Sequence, residues 1–184
     1  MKSNLKLVLL SIFIISCSSN YSPKPLGYHR IILEEKVYQP YSNNCPFTFL
    51  IPDVTSVIQE KENCWMDINY PMYNANIYLT YKEIDANLNE LLEENHKLAY
   101  DHSIKSDGIT EKLYTNPDEG IYGIMYDIKG NSASNVQFFV TDSTTHFLRG
   151  SLYFNNVPNA DSIAPVKNYI QQDIQILMES LKWS

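Results

Sequence analysis

The chain has 184 residues, with 14 Lys and Arg against 21 Asp and Glu, which gives a formal net charge of −7. It contains no dense cluster of basic residues, which argues against binding to nucleic acid or electrostatic binding to an anionic membrane. Its length corresponds to one domain, and its 44% hydrophobic content is typical of a folded chain rather than a disordered one.

The N-terminus has the pattern of a lipoprotein signal peptide. Two lysines precede an apolar block over Leu7–Ile15, which is far shorter than the ~20 residues that a helix needs to cross a bilayer. Ile14-Ile15-Ser16-Cys17 then resembles the lipobox of bacterial lipoproteins, in which the cysteine is acylated. We therefore predict a signal peptide over residues 1–16 and a bilayer anchor through acylated Cys17, because two or more acyl chains hold a protein firmly on a membrane. The alternative is an uncleaved anchor or an ordinary signal peptide.

Residues 17–27 are predicted to form the lipidated end and an extended tether. In the stretch SSNYSPKPLG two prolines flank a lysine, which favours polyproline geometry. At ~3.1 Å per residue, the tether would reach up to ~30 Å from the membrane. The remainder, residues 28–184, is predicted to be a single domain.

Strand patterns begin after Pro46. Alternating apolar residues predict a strand at Phe47–Ile51, and Val54–Gln59 continues as a second one. The stretch CWMDINYP predicts a strand with its even-numbered residues on one face and its odd-numbered residues on the other. Further strands are predicted at residues 75–82, 109–114, 121–129, 136–141 and 146–154.

Two stretches have the spacing of amphipathic helices. In the first, the apolar stripe runs from Ile84 to Ala99 and includes Asn95, and Asn87 is the predicted N-cap. The second runs from Ile163 to Leu181, with Asp161 or Ser162 as its predicted cap.

The order of elements is strands, a helix, a run of strands and a helix. Short polar connections between the later strands indicate antiparallel neighbours. We therefore predict an α+β fold, an antiparallel β-sheet with two main helices packed on it. Domains of the PsbP/Mog1 type resemble this chain in element order.

Besides Cys17, the predicted mature chain contains two cysteines, Cys45 and Cys64. In an oxidising envelope an even pair suggests a disulfide, which would add about 3 kcal/mol by closing a loop of ~20 residues. Both cysteines begin strand-like runs, so a bridge requires the chain to kink at Pro52 or Cys45 to fold back. A disulfide and two buried thiols both remain open.

No sequence motif of catalysis, metal binding or nucleotide binding is present. The spacing of His96 and His102 places them on different helix faces, a poor arrangement for a metal. We therefore expect no catalytic residue, no metal and no cofactor. An envelope hydrolase remains an alternative, and it would bring two or three of His96, His102, His146, Asp101 and Asp127 into one pocket. A small-ligand carrier, which needs an apolar cavity, is a further alternative.

An N-terminal arm rich in tyrosine is a candidate interface. Tyr21, Tyr28, Tyr38 and Tyr41 recur along it, with Arg30 between them. Tyrosine and arginine are enriched in protein interfaces. The alternative is that the arm packs onto its own domain.

Several stretches together carry a family resemblance: YSPKPLGYHRI after the lipobox, CPFTFLIP, CWMDINYP, and above all YGIMYDIKGNSASNVQFFVTDSTTHFLRGSLYFN at Tyr122–Asn155. They resemble the gliding motility lipoprotein GldD family of Bacteroidetes over essentially the whole mature chain. The resemblance implies an envelope lipoprotein required for gliding and tied to type IX secretion. The lipidated cysteine, here Cys17, is the only family feature with assignable chemistry.

The sequence thus predicts a non-catalytic lipoprotein that contacts gliding motility or type IX secretion proteins. In Bacteroidetes, surface-exported lipoproteins often carry acidic residues just after the lipidated cysteine. Ser18-Ser19-Asn20 contains none. We therefore expect an outer-membrane lipoprotein whose domain faces the periplasm.

Overall fold

The computed structural model describes residues 31–59, 63–101 and 106–184, so the predicted signal peptide and tether lie outside the described residues. Its helices are α1 (Leu88–Asp101) and α2 (Ala160–Ser180). Its strands are β1 (Tyr38–Tyr41), β2 (Phe47–Pro52), β3 (Ser56–Gln59), β4 (Met66–Tyr70), β5 (Ala75–Glu83), β6 (Ser106–Asn116), β7 (Ile121–Gly130), β8 (Ser134–Thr141), β9 (His146–Phe154) and β10 (Lys182–Trp183). Single-turn 3-10 helices at Pro71–Tyr73 and Pro117–Glu119 connect β4 to β5 and β6 to β7.

The strands form two antiparallel sheets. The larger sheet has the order β3-β4-β5-β9-β8-β7-β6, and the smaller has the order β1-β2-β10. The predicted α+β class, with two helices on antiparallel sheet, is confirmed. The likeness to PsbP/Mog1 domains remains a prediction.

The two helices pack on opposite faces of the seven-stranded sheet. Alternate residues of a strand point to opposite faces, so in β8 the ring of Phe138 joins the core on the α2 side, whereas that of Phe139 joins the core on the α1 side. All eight residues of β8 are buried. The sheet therefore separates an α1 layer from a layer made by α2 and the small sheet.

The larger core lies on the α2 side. The inward residues of α2 are Val166, Ile170, Ile174, Leu177 and Met178. They pack with Phe47 and Phe49 of the small sheet and with alternate residues of the central strands. The smaller core on the α1 side joins Leu91 and Ala99 to Tyr126, Ile128, Phe139 and Phe147.

One close approach in this core requires a glycine. A Cβ atom on Gly150 of β9 would lie 2.2 Å from the ring of Phe138, which is the cross-strand partner of Gly150. No side chain fits there unless the ring moves.

The helix starts differ in part from prediction. The N-cap of α2 is Asn159, whose side-chain oxygen accepts a hydrogen bond from the Ser162 N–H at 3.2 Å, so the predicted caps Asp161 and Ser162 were wrong. Asn87 does precede α1, and its carbonyl oxygen accepts from Leu91 N–H at 3.1 Å. Its side-chain oxygen accepts from the N–H of Asp85, which precedes the helix, at 3.0 Å.

Candidate functional site

Several of the predicted site residues precede the described part of the chain. These are Cys17, Tyr21, Tyr28 and Arg30, all of which lie outside the described residues. Acylation of Cys17, and an interface that includes the other three, therefore remain predictions.

Tyr38 and Tyr41, the other two predicted interface residues, contact their own domain. The Tyr38 hydroxyl donates to the Asp173 carboxylate at 2.5 Å, and the Tyr41 ring stacks on Phe49 at a centroid distance of 5.5 Å. The arm therefore packs on the domain at β1. Contact of these two residues with another protein remains a prediction.

Cys45 and Cys64 form a disulfide, with their Cα atoms 5.6 Å apart. Cys45 precedes β2 of the small sheet, and Cys64 precedes β4 of the large one. The chain leaves the small sheet after Pro52 and enters the large sheet at β3, which brings the starts of β2 and β4 together. The bridge thus links the two sheets.

A buried polar cluster, which we call the arm clamp, holds the arm against α2. Its members are Lys36, Tyr38, Tyr70 and Asp173. The Lys36 ammonium lies 2.6 Å from Asp173 Oδ1, and the two side chains are only 7% and 2% exposed. The Tyr70 hydroxyl donates to Asp173 Oδ2 at 3.0 Å. The Lys36 ammonium also lies 3.2 Å from the centroid of the Tyr169 ring.

Backbone contacts extend this attachment towards residue 32. The Tyr169 hydroxyl donates to the Glu34 carbonyl at 2.9 Å, and the Tyr73 hydroxyl donates to the Ile32 carbonyl at 3.3 Å. The arm is therefore fixed to the domain over several consecutive residues.

Charge and burial in the arm clamp indicate a structural role. Burial lowers the pKa of Lys36, and the hydrogen bond and charge of Asp173 oppose that shift. Burial, together with the same carboxylate, raises the pKa of both Tyr38 and Tyr70, so both hydroxyls remain donors. All four side chains are thereby hydrogen-bonded, as a stable buried ion pair requires.

The residues of the hydrolase alternative lie in different environments. His96 stacks on Tyr100 in α1, at a centroid distance of 4.3 Å. His146 stacks on Trp183, with centroids 5.0 Å apart, and Asp127 pairs with Lys167 of α2. His102 lies outside the described residues, and Asp101 is exposed at the end of α1. Of these residues, the described ones do not converge on one pocket.

A cleft of about 210 Å³, which we call the α1 cleft, lies between α1 and the seven-stranded sheet. It is lined by Trp65, Thr80, Lys82, Leu91, Glu94, Asn95, Leu98, Phe147 and Arg149. Lys82 and Glu94 form an ion pair at 2.9 Å, and both side chains are more than 40% exposed. The cleft thus combines apolar walls with polar groups from β5, β9 and α1.

Buried polar atoms without partners are concentrated around this cleft. Asn95 is 1% exposed, and neither of its side-chain amide atoms has full hydrogen-bond geometry with a partner. The Tyr126 hydroxyl is a polar neighbour of that amide: burial raises the pKa of Tyr126 to about 12, and the interaction with the Asn95 side chain partly opposes that rise. Nε of Arg149 and Nε2 of Gln137 also lack partners, although Arg149 Nη2 donates to Gln137 Oε1 at 2.8 Å.

These atoms reduce the stability of the fold. A buried donor or acceptor without a partner costs about 1–3 kcal/mol. Burial also lowers the pKa of Arg149, but a guanidinium remains charged at neutral pH. Among the described residues no carboxylate forms a salt bridge with Arg149, although the Glu94 carboxylate is near enough to oppose the lowering of its pKa. The α1 cleft therefore contains a partly buried cation without an ion-pair partner and a buried amide.

A second feature lies on the other side of α1. β6 is eleven residues long and stands at the end of the seven-stranded sheet, where it pairs with β7. Beside it is an apolar groove of about 350 Å³, whose lining includes Leu88, Leu92, Leu113 and Tyr122. Leu113 is 75% exposed, a high value for a leucine in a strand. We call this surface the β6 edge.

The described residues contain neither a group of metal-ligating side chains nor a membrane-spanning helix. Within residues 31–59, 63–101 and 106–184, no three His, Cys, Asp or Glu side chains form a group that would hold a metal ion. No helix in those ranges is long and apolar enough to cross a membrane.

Comparison with known families places the chain among membrane-anchored envelope lipoproteins. The matching family is the gliding motility lipoprotein GldD, and its sequence model covers residues 18–183. The chain therefore belongs to the GldD family, as its sequence motifs predicted. Among curated proteins, none matches the chain.

The sequence patterns did not identify the α1 cleft. One signal was present, because Asn95 occupies the apolar stripe of α1, where an amide needs a partner or a function. Arg149 gave no such signal. Its strand alternates between the two sheet faces, and only the position of α1 decides which outward residues become buried.

Proposed function

We propose that this protein is a non-catalytic component of the gliding motility and type IX secretion machinery. It would be anchored in the outer membrane through acylated Cys17, with its domain in the periplasm, and would act by binding other envelope proteins. Membership of the GldD family supports the link to gliding. The lipobox and the absence of acidic residues after Cys17 support the anchor and its orientation.

The observation that carries the interaction role is the β6 edge. A strand at the end of a sheet has one row of backbone N–H and C=O groups without a strand partner, and a partner strand can pair with them. Proteins commonly protect such edges with very short strands. β3, the opposite end of the same sheet, has only four residues, whereas β6 has eleven.

The side chains around β6 are suited to the same mode of binding. In strand addition the backbone provides affinity, and pockets beside the edge provide specificity. Leu113 and Tyr122 are exposed next to the groove, and Leu88 and Leu92 line its other wall. Glu111 of β6 is held by the Tyr100 hydroxyl of α1 at 2.8 Å, which helps to fix the strand for pairing. A strand of an envelope partner is the occupant that this surface fits.

Site-specific photo-crosslinking in the native host tests the proposal. A photoreactive residue at Leu113 should give crosslinks to one or a few envelope proteins, identified by mass spectrometry. Val157 is the matched control, because it is apolar and 87% exposed, and the groove beside it shares no lining residue with the groove at β6.

Crosslinks at Leu113 that exceed those at Val157 would support binding through the β6 edge. Equal labelling at both positions, or no adduct with an envelope protein at Leu113, would contradict it. Protease treatment of intact and permeabilised cells tests the orientation separately, because a periplasmic domain should be cut only after permeabilisation.

A further inference from the structure

We propose that the α1 cleft binds a carboxylate on a short apolar stem, presented by an acidic side chain or chain terminus of a partner polypeptide. The polypeptide source rests on the proposed function, whereas the carboxylate chemistry rests on the cleft alone. This site is distinct from the β6 edge, since the cleft and the groove lie on opposite sides of α1 and share no lining residue.

Arg149 brings a positive charge to the cleft. The residue is partly buried; among the described residues its guanidinium donates to the uncharged amide of Gln137, and its buried Nε atom has no partner. A charge that is partly removed from water is stabilised by a partner of opposite charge. A guanidinium matches a carboxylate geometrically, since two of its N–H groups bind the two oxygens in parallel. A carboxylate is therefore the ligand that compensates this cation best.

Asn95 places an amide in the cleft. The residue is 1% exposed, the Tyr126 hydroxyl is a polar neighbour of its amide, and neither amide atom has full hydrogen-bond geometry with a partner. Natural cores rarely keep such a group unless it serves a function. Its amide donor would bind a carboxylate oxygen after a small side-chain rotation, which would leave Arg149 free to bind the other oxygen.

The cleft is small. At about 210 Å³ the cleft is smaller than the pockets of ~300–1,000 Å³ that hold drug-sized ligands. Leu91, Leu98 and Phe147 make it apolar away from Arg149 and Asn95. This shape fits a single side chain or a small acid rather than a lipid chain or a nucleotide.

The mouth of the cleft is open to such a group. Lys82 and Glu94 pair near it, but both are well exposed, and an exposed ion pair stabilises by only ~0–1 kcal/mol. An incoming carboxylate therefore displaces Glu94 from Lys82 at little cost. Lys82 then adds a second positive charge beside the ligand.

Binding of defined probes to the purified mature protein tests the proposal. The probes are butyrate, its neutral counterpart butyramide, and a blocked tripeptide with one central glutamate or glutamine. NMR spectra that resolve the Arg149 Nε–H and Asn95 Nδ2–H₂ signals report the site directly. We expect butyrate and the glutamate peptide to shift both signals in a saturable manner, and the two neutral probes to bind at least tenfold more weakly.

Two variants separate binding from folding. Arg149→Met keeps much of the apolar stem and removes the charge, and it should weaken binding of the acidic probes at least tenfold. Asn95→Leu should weaken binding to a similar extent, while its thermal stability stays equal to or above that of the unaltered protein, because the unpaired amide is removed. Lys129→Met, which removes an exposed cation of β7 that lines neither the cleft nor the groove at β6, is the control and should bind normally.

The outcomes distinguish the two proposals. No saturable shift with any acid, or equal binding of acids and amides, would overturn carboxylate recognition while crosslinks at Leu113 could still support the interaction role. Binding of butyrate without the glutamate peptide would overturn the polypeptide source and assign the cleft to a small free acid. Binding of the peptide together with Leu113 crosslinks would support both proposals.

Discussion

The arm clamp allows a sharp stability prediction. Asp173→Asn preserves the shape of the side chain but removes the charge that compensates the Lys36 ammonium. Because the Lys36 side chain is only 7% exposed, water compensates poorly for the lost partner. Loss of one member of a buried ion pair costs about 3–5 kcal/mol. That is a large share of the ~5–15 kcal/mol that stabilises a typical domain.

A second substitution makes the prediction specific. In the double variant Lys36→Met with Asp173→Asn, no unpaired charge remains in the arm clamp. We therefore expect the double variant to be more stable than Asp173→Asn alone, because replacing Lys36 removes the uncompensated buried charge that the single variant leaves behind. Glu179→Gln, an exposed position on the same helix, is the control and should change stability by no more than ~0.5 kcal/mol.

Urea unfolding followed by circular dichroism measures these free energies at one fixed pH. Hydrogen exchange at residues 32–38 shows whether the arm opens before the rest of the domain. A loss below ~1 kcal/mol for Asp173→Asn, or a double variant no more stable than the single one, would refute the reasoning from buried charge.

Three further predictions concern stability. Gly150→Ala forces a Cβ atom into the Phe138 ring and should lower the free energy of unfolding by about 1–3 kcal/mol; an unchanged urea midpoint would contradict this. Reduction of the Cys45–Cys64 bridge, or its removal by paired alanines, should cost about 3 kcal/mol for a loop with a sequence separation of 19; denaturation with and without reductant measures it. Burial would raise the pKa of Asp142, but backbone N–H bonds from the following loop outweigh it and lower that pKa. The unaltered protein should therefore be more stable than Asp142→Asn by the full amount above pH ~4, and this difference in the free energy of unfolding should disappear as the pH falls through the lowered pKa of Asp142. Urea unfolding at pH 6 and pH 3 measures the difference. A difference that is the same at both pH values would contradict the prediction.

The sequence predicted those strands and helices in which apolar residues recur with a clear period. Met66, Ile68 and Tyr70 alternate with Asp67 and Asn69, and the structure buries the first three while leaving the other two partly exposed. Such alternation depends only on strand geometry, so it is visible in the sequence.

The division into two sheets was not predicted because it depends on distant pairing. β1 contains Pro40 and only four residues, and β10 has two. Neither stretch is long enough to show a period. Both become strands because they pair with β2, a contact that no local pattern encodes.

The candidate site was only partly visible for a similar reason. Asn95 has a helical position that marks it as inward-facing, so its amide could be recognised as unusual. Arg149 lies on the sheet face that carries α1, and its burial depends on where that helix crosses the strands. To predict a site that lies between two secondary-structure elements, one needs the relative placement of those elements as well as the sequence pattern of each.

The position of the arm clamp has a consequence for how the protein meets its surroundings. Residues 34–38 lie along α2, whereas the α1 cleft opens on the opposite face of the seven-stranded sheet. A ligand in the cleft therefore would not compete with the arm for the same surface. A force applied to the arm would act on the α2 layer, and a ligand would act on the α1 layer, with the seven-stranded sheet between them.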